Sequence, residues 1–366
     1  MILEQLVNFS NLYGSNEELV LAGGGNTSAK DGDVMYIKGS GTSLSTITAE
    51  GFVKMSREKI AEIFTKVYPD NDKEREALCL ADVMASRLPG EESKRPSVET
   101  TLHSLFQQRF VLHLHPALVN GVTCAKVGQK WAEKLFGSSI LWIEPCKPGY
   151  TLAKLCYDEM KSYKENNGKD CETLLLANHG IFIADDTVEG LEEKLFSVMA
   201  KLRENIVEEP DLSVGEFDGD KAQIIFNEFC DIFGEDSVIA FEPSALSLKY
   251  AQSKASFEEI KTPFSPDQVV YCKAYPVYIQ EKEDIKVKTE AYKKEYGFLP
   301  KIFFVKDCGM LCVDFTEKGS EIGVALFNDA MKISVYSKSF GGARPMNDDL
   351  IDFIVNWEAE SYRSKQ

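Results

Sequence analysis

Two histidines stand two positions apart in the apolar run Phe110-Val-Leu-His-Leu-His-Pro116, and no other feature constrains the fold of this chain as strongly. A strand places residues i and i+2 on one face, so His113 and His115 are expected to form a two-pronged clamp on a buried strand. A third histidine, His179, follows the apolar run Leu174-Leu-Leu-Ala177 and precedes Gly180. A glycine there is a natural place for a strand to end and present a side chain. Three protein ligands with one position left open are the arrangement of a catalytic metal rather than a structural one. Imidazole suits Zn2+ first, with Fe2+, Co2+ or Mn2+ as alternatives.

Around this clamp the pattern alternates between strands and helices. Helices are expected over 2–14, 56–67, 74–86, 97–109 (opened by Pro96), 127–136, 151–165 and 187–206. Strands are expected over 19–22, 34–37, 110–115, 140–143, 173–178 and 180–184. The polar stretch Glu208–Asp220 reads as a linker. Beyond it a helix over 220–233 restarts the pattern, which continues to about residue 362. Such alternation predicts helices layered on a central sheet. At 366 residues the chain is long enough for two domains, expected at 1–207 and 220–366.

Composition narrows the function. A net charge of −17 argues against a nucleic-acid surface, which needs clustered Lys and Arg. Nine scattered cysteines without a CxxC pair read as reduced thiols. The first residues do not resemble a signal peptide, and no apolar run approaches a membrane span, so a cytoplasmic protein without membrane contact is expected.

Further motifs carry chemistry. Glu99 lies in Pro96-Ser-Val-Glu99, at an expected helix start, where a carboxylate is either part of a helix cap or placed for reaction. Two glycine-bearing loops, Gly23-Gly-Gly-Asn-Thr-Ser28 and Lys38-Gly-Ser-Gly-Thr-Ser43, offer N–H and hydroxyl donors, the second adding a cation. Neither matches a nucleotide-binding fingerprint, but both can cradle an anion. The stretch 174–190 is echoed by 303–319, with Cys308 standing where the first copy has His179. Either any strand-turn-strand-helix looks like this, or the second stretch belongs to a degenerate module that binds no metal.

Taken in order, Gly-Asn-Thr-Ser, Ile-x-Gly-Ser-Gly-Thr, Pro-Ser-x-Glu-x-x-x-His, His-x-His-Pro and Asn-His-Gly resemble the class II aldolase/adducin family over about residues 1–205. The likeness is to L-fuculose- and L-rhamnulose-phosphate aldolases. The remainder, with Ser265–Tyr271 and Asn356–Tyr362, is similar to the aldolase portion of bifunctional rhamnulose-phosphate aldolase/alcohol dehydrogenases.

The resemblance implies an α/β/α sandwich on a central mixed, mostly antiparallel sheet, with a C-terminal α/β extension. It implies zinc on His113, His115 and His179, with Glu99 as general acid/base. Phosphate would be held by Asn26, Ser40, Gly41 and Ser97, and His103 would be a structural hydrogen-bonder. Lys38-Gly39 replaces the family's usual Thr-Pro, and Val98 stands where a second serine is common.

The expected activity is therefore metal-dependent aldol cleavage of a phosphorylated ketose to dihydroxyacetone phosphate and an aldehyde, by a homo-oligomer. The alternatives are a sugar-phosphate 4-epimerase or dehydratase on the same scaffold, or a non-enzymatic adducin-like scaffold.

Overall fold

The computed structural model describes residues 2–280 and 285–357. These form two compact units, one built of residues 2–123, 127–205 and 356–357, the other of 124–126, 206–280 and 285–355. Of the closing segment Asn356–Tyr362, residues 358–362 lie outside the described residues.

The first unit is organised on a sheet of seven strands: β1 (Asn26–Asp31), β2 (Val34–Lys38), β3 (Phe52–Ser56), β4 (Phe110–Leu114), β5 (Leu141–Ile143), β6 (Thr173–Leu176) and β7 (Gly180–Asp185). Their spatial order is β3-β2-β1-β4-β7-β6-β5. All neighbours pair antiparallel except β5 with β6, so the sheet is mixed and mostly antiparallel. Strand β4 is central, hydrogen-bonded to β1 on one edge and β7 on the other. Both its faces are covered, which is why Phe110–Leu114 is buried throughout and reads as a nearly continuous apolar run.

Helices lie on both faces. Val111 and Phe182 pack with Leu102 and Phe106, and with Leu152 and Cys156 of the helix Tyr150–Asn167. On the opposite face Phe110 meets Phe9 of the helix Ile2–Gly14 edge-on at 5.7 Å. Full burial of side chains such as Phe106 and Phe182 stabilises the sandwich by roughly 1.5–3 kcal/mol each.

The second unit carries a four-stranded sheet of β8 (Val238–Glu242), β9 (Val277–Ile279), β10 (Ile302–Val305) and β11 (Gly309–Asp314), in the order β8-β11-β10-β9. Here too one pairing is parallel, β9 with β10. Its core gathers Phe229, Ile285, Phe303 and Leu311.

The structure departs from the sequence expectations in instructive places. Residues 19–22 are not a strand. The chain turns there with Ala22 at φ 52° and Gly25 at φ 61°, and the sheet is entered only at Asn26. A Cβ on Gly25 would sit 2.7 Å from the carbonyl oxygen of His113, so only glycine lets this turn run so close to β4. The helix expected over 97–109 is also shorter, Thr100–Leu105, which places Glu99 just ahead of it. A short helix, Ala117–Thr123, follows Pro116 where none was expected. No described helix is long and apolar enough to cross a membrane.

Candidate metal centre

Register explains how the site is assembled. Asn26 on β1 pairs directly with His113 on β4, and His113 pairs with Phe182 on β7. Directly paired residues share a face, so the three form one row across the sheet. The His113 ring stacks on Phe182 with centroids 3.9 Å apart and planes 12° apart, which sets the plane of the imidazole. His115 lies just past the end of β4, where its N–H donates to Leu19 O at 3.2 Å. His179 sits in the β6–β7 turn, after Asn178 at φ 57°. Gly180 is required beside it, because a Cβ there would meet Leu114 O at 2.4 Å and the His115 ring at 2.8 Å.

The three rings converge through one type of atom. His113 Nε2 lies 2.9 Å from His115 Nε2 and 3.3 Å from His179 Nε2. Glu99 Oε1 lies 3.3 Å from His113 Nε2 and 3.2 Å from His179 Nε2. On the other side of its ring, His113 donates Nδ1–H to Ile181 O at 2.9 Å, which leaves a bare lone pair on Nε2. Burial pushes the His113 pKa down to about 4, against the pull of Glu99, so the ring is neutral near pH 7. Burial pushes Glu99 up, but the charge and N–H donors that His113 and His179 present when protonated outweigh it and hold the carboxyl well below the usual range.

Three imidazole nitrogens and one carboxylate oxygen thus face one another at a partly buried spot. Such a set fits a cation at its centre. Zn–N bonds of about 2.0–2.1 Å imply nitrogen separations of roughly 3.3 Å at a tetrahedral centre. His113, His115 and His179 can therefore hold a metal ion, and the carbonyl behind His113 is the outer partner that such ligands require.

The other expected residues are placed as follows. Glu99 is buried, and its Oε2 accepts from Asn26 Nδ2 at 2.5 Å. It is not a helix-capping carboxylate, since its side chain makes no cap hydrogen bond. Asn26 Nδ2 also reaches Ser97 Oγ at 3.3 Å, and Ser97 Oγ accepts the Glu99 N–H. Ser40 joins the Ser97 segment through its backbone: its N–H donates to Arg95 O at 2.8 Å, and Gly39 bridges to Pro96. That amide is engaged, which leaves the Ser40 hydroxyl as the group able to face an anion. Gly41 follows at φ 84° and is exposed. Lys38, buried at the end of β2, directs Nζ to Gly23 O at 3.4 Å and so ties the two glycine loops together.

Two contributors were not singled out from sequence. Phe182 orients His113, and Ser28 contacts the buried His103 at 2.7 Å. The available signal for Ser28 was its position two residues after Asn26, on what is now seen to be one strand.

The chain has recognisable relatives. A sequence profile described as Class II Aldolase and Adducin N-terminal domain matches residues 4–198. An uncharacterised oxidoreductase of Bacillus subtilis (strain 168) is 24% identical over 99% of this chain, and the chain spans 58% of that relative's length. Among solved structures, the N-terminal class II aldolase domain of a conserved protein from Thermoplasma acidophilum is 26% identical, covering 55% of this chain and 92% of its own, with a TM-score of 0.46. L-fuculose-1-phosphate aldolase from Thermus thermophilus is 15% identical over 55% of this chain and 90% of its own, with a TM-score of 0.34. With more than half of its residues matched by that profile, the chain belongs to the class II aldolase and adducin N-terminal domain family.

Proposed function

We propose that the protein is a metal-dependent aldolase that cleaves or forms a C–C bond in a phosphorylated ketose, giving dihydroxyacetone phosphate and an aldehyde. The observation that carries this reading is the meeting of three imidazole Nε2 atoms and Glu99 Oε1 at one partly buried point. Zinc is the proposed ion, by the imidazole donor set. When bound, it would supply Lewis-acid stabilisation of the negative charge left beside the carbonyl as the C–C bond breaks.

The remaining work falls to the chain. Glu99 Oε1 faces the centre, so it is placed to accept and return the proton that moves during cleavage. Its other oxygen is anchored by Asn26, which fixes the direction of transfer. Ser97, the Ser40 hydroxyl and the Gly41 backbone are the proposed holders of the phosphate, while the Asn26 amide, also expected among them, is committed to Glu99, Ser97 and His103. The holders bind the unreactive end, so that remote binding energy orients the reacting carbons. Membership of the family supports this assignment.

The test is a retro-aldol assay on zinc-loaded protein with rhamnulose- and fuculose-1-phosphates, reading dihydroxyacetone phosphate. Metal-dependent release of that product is expected. Bound metal with no turnover of any sugar phosphate offered would overturn the assignment in favour of an epimerase or dehydratase.

A further inference from the structure

We infer that His103 is a positioning residue for Glu99, acting through Asn26; this rests on the proposed role of Glu99 as proton carrier.

The geometry begins with the two-residue period of β1, which puts Asn26 and Ser28 side by side on one face. His103, from the helix Thr100–Leu105, lies fully buried over that face, with its ring edge-on to Phe182 at 5.3 Å. Its two nitrogens span the two strand residues. Nδ1 is 2.7 Å from Ser28 Oγ, and Nε2 makes a short hydrogen bond with Asn26 Oδ1. Asn26 then donates Nδ2–H to Glu99 Oε2 at 2.5 Å. The result is a chain from Ser28 through His103 and Asn26 to Glu99, with every member buried.

Only one assignment of protons satisfies this chain. Asn26 turns its NH2 to Glu99 and its carbonyl oxygen, which can only accept, to His103. His103 must then donate Nε2–H, and its Nδ1 must accept the Ser28 hydroxyl proton. Burial holds the His103 pKa well below its ordinary value, so the ring is neutral with one donor and one acceptor, as the chain requires. An Nδ1–H ring would set the Nε2 lone pair against the Asn26 carbonyl. A flipped Asn26 would set that carbonyl against the carboxylate. Buried lone-pair clashes of this kind are costly, so the tautomer of His103 fixes the orientation of Asn26, and Asn26 fixes Glu99. One carboxylate oxygen is immobilised, and the other is left facing the three histidines.

Two substitutions separate this role from mere packing. Gln can place an amide N–H where Nε2–H stands, whereas Asn reaches only the Nδ1 position. His103→Gln is expected to keep kcat within a few-fold of the parent. His103→Asn is expected to lower kcat roughly 10–100-fold, the usual effect of removing an outer partner, with metal content and KM changing little. A packing role predicts equal losses in both variants, tracking their Tm. The second measurement is the tautomer itself, read by 15N NMR of histidine-labelled resting protein, where four histidines keep the spectrum simple. An Nε2–H, Nδ1-bare ring at His103 supports the relay. An Nδ1–H ring, or equal activity in the two variants, overturns it. Absence of any turnover by the zinc-loaded parent would instead remove the proposed reaction, and the tautomer would still decide the relay.

Discussion

In the hairpin β6–β7, Thr173 pairs with Ile183 and the register runs to Leu176 with Gly180; in β10–β11, Ile302 pairs with Cys312 and runs to Val305 with Gly309. The two match residue for residue. Each turn holds a non-glycine residue in the left-handed region, Asn178 at φ 57° and Asp307 at φ 62°. After each hairpin an aspartate, Asp185 or Asp314, accepts from a threonine that caps the next helix, Thr187 to Gly190 N–H and Thr316 to Gly319 N–H, both at 3.0 Å. A Cβ on Gly190 or Gly319 would lie within 2.3 Å of that aspartate's side chain, which would have to move to admit it. Each hairpin is flanked by an antiparallel strand on one side, β4 or β8, and a parallel one on the other.

The metal ligands are what differ. Phe241, paired with Leu311, stands at the position of His113, and Cys308 at that of His179. Pro243 stands two residues after Phe241, as His115 does after His113. Burial raises the Cys308 thiol pKa, which keeps it a poor ligand. The match covers the hairpin, its two flanking strands and the cap of the helix that follows. It also teaches that turn, cap and register sustain the frame by themselves, while the site is a set of side chains laid on top of it.

The largest expected effect is confined to the first hairpin. His113→Ala should abolish stoichiometric metal and reduce retro-aldol activity by about a thousandfold or more, since Lewis-acid stabilisation is worth several kcal/mol. Cys308→Ala should leave metal content, measured by elemental analysis, unchanged. A loss of metal in Cys308→Ala would mean that the second hairpin is not inert. Next, Glu99→Gln should lower kcat by about a hundredfold or more while metal stays bound, which steady-state kinetics on zinc-loaded protein would read.

An acid titration comes third. Folded His113 titrates at about 4, below its ordinary value of roughly 6.5. The unfolded chain therefore takes up this proton first. The contribution is complete above about pH 6.5 and is lost as pH falls toward 4, by up to about 3 kcal/mol in metal-free protein. Hydrogen exchange at pH 4.5 and 7 should show this loss in β4 and β7, but not around Phe241. Smallest of all, Thr187→Ala and Thr316→Ala should each destabilise by about 1 kcal/mol in thermal or denaturant unfolding. A clear inequality would show that the two caps are not equivalent.

Some of this was legible in the sequence because local pattern and tertiary role agree. The His113/His115 spacing needs a strand, and β4 is one. Residues 19–22 misled because an apolar run satisfies strand periodicity, whereas the turn geometry at Ala22 and Gly25 is decided by the approach to His113 O. Glu99 read equally well as a helix cap, since local spacing cannot reveal that Asn26, on a distant strand, turns its carboxylate away from the helix. Nor could the sequence indicate that the Ser40 N–H is taken by Arg95 O. Each miss is a long-range contact with no local signature.

The central place of β4 has one more consequence. A ligand-bearing strand paired on both edges keeps its backbone fixed whether or not an ion is present. Removal of an ion held here is therefore expected to leave the sheet folded, unlike the case of small domains that unfold when stripped. Chelator treatment should leave the circular dichroism unchanged, and one preparation could then be assayed with each candidate metal in turn.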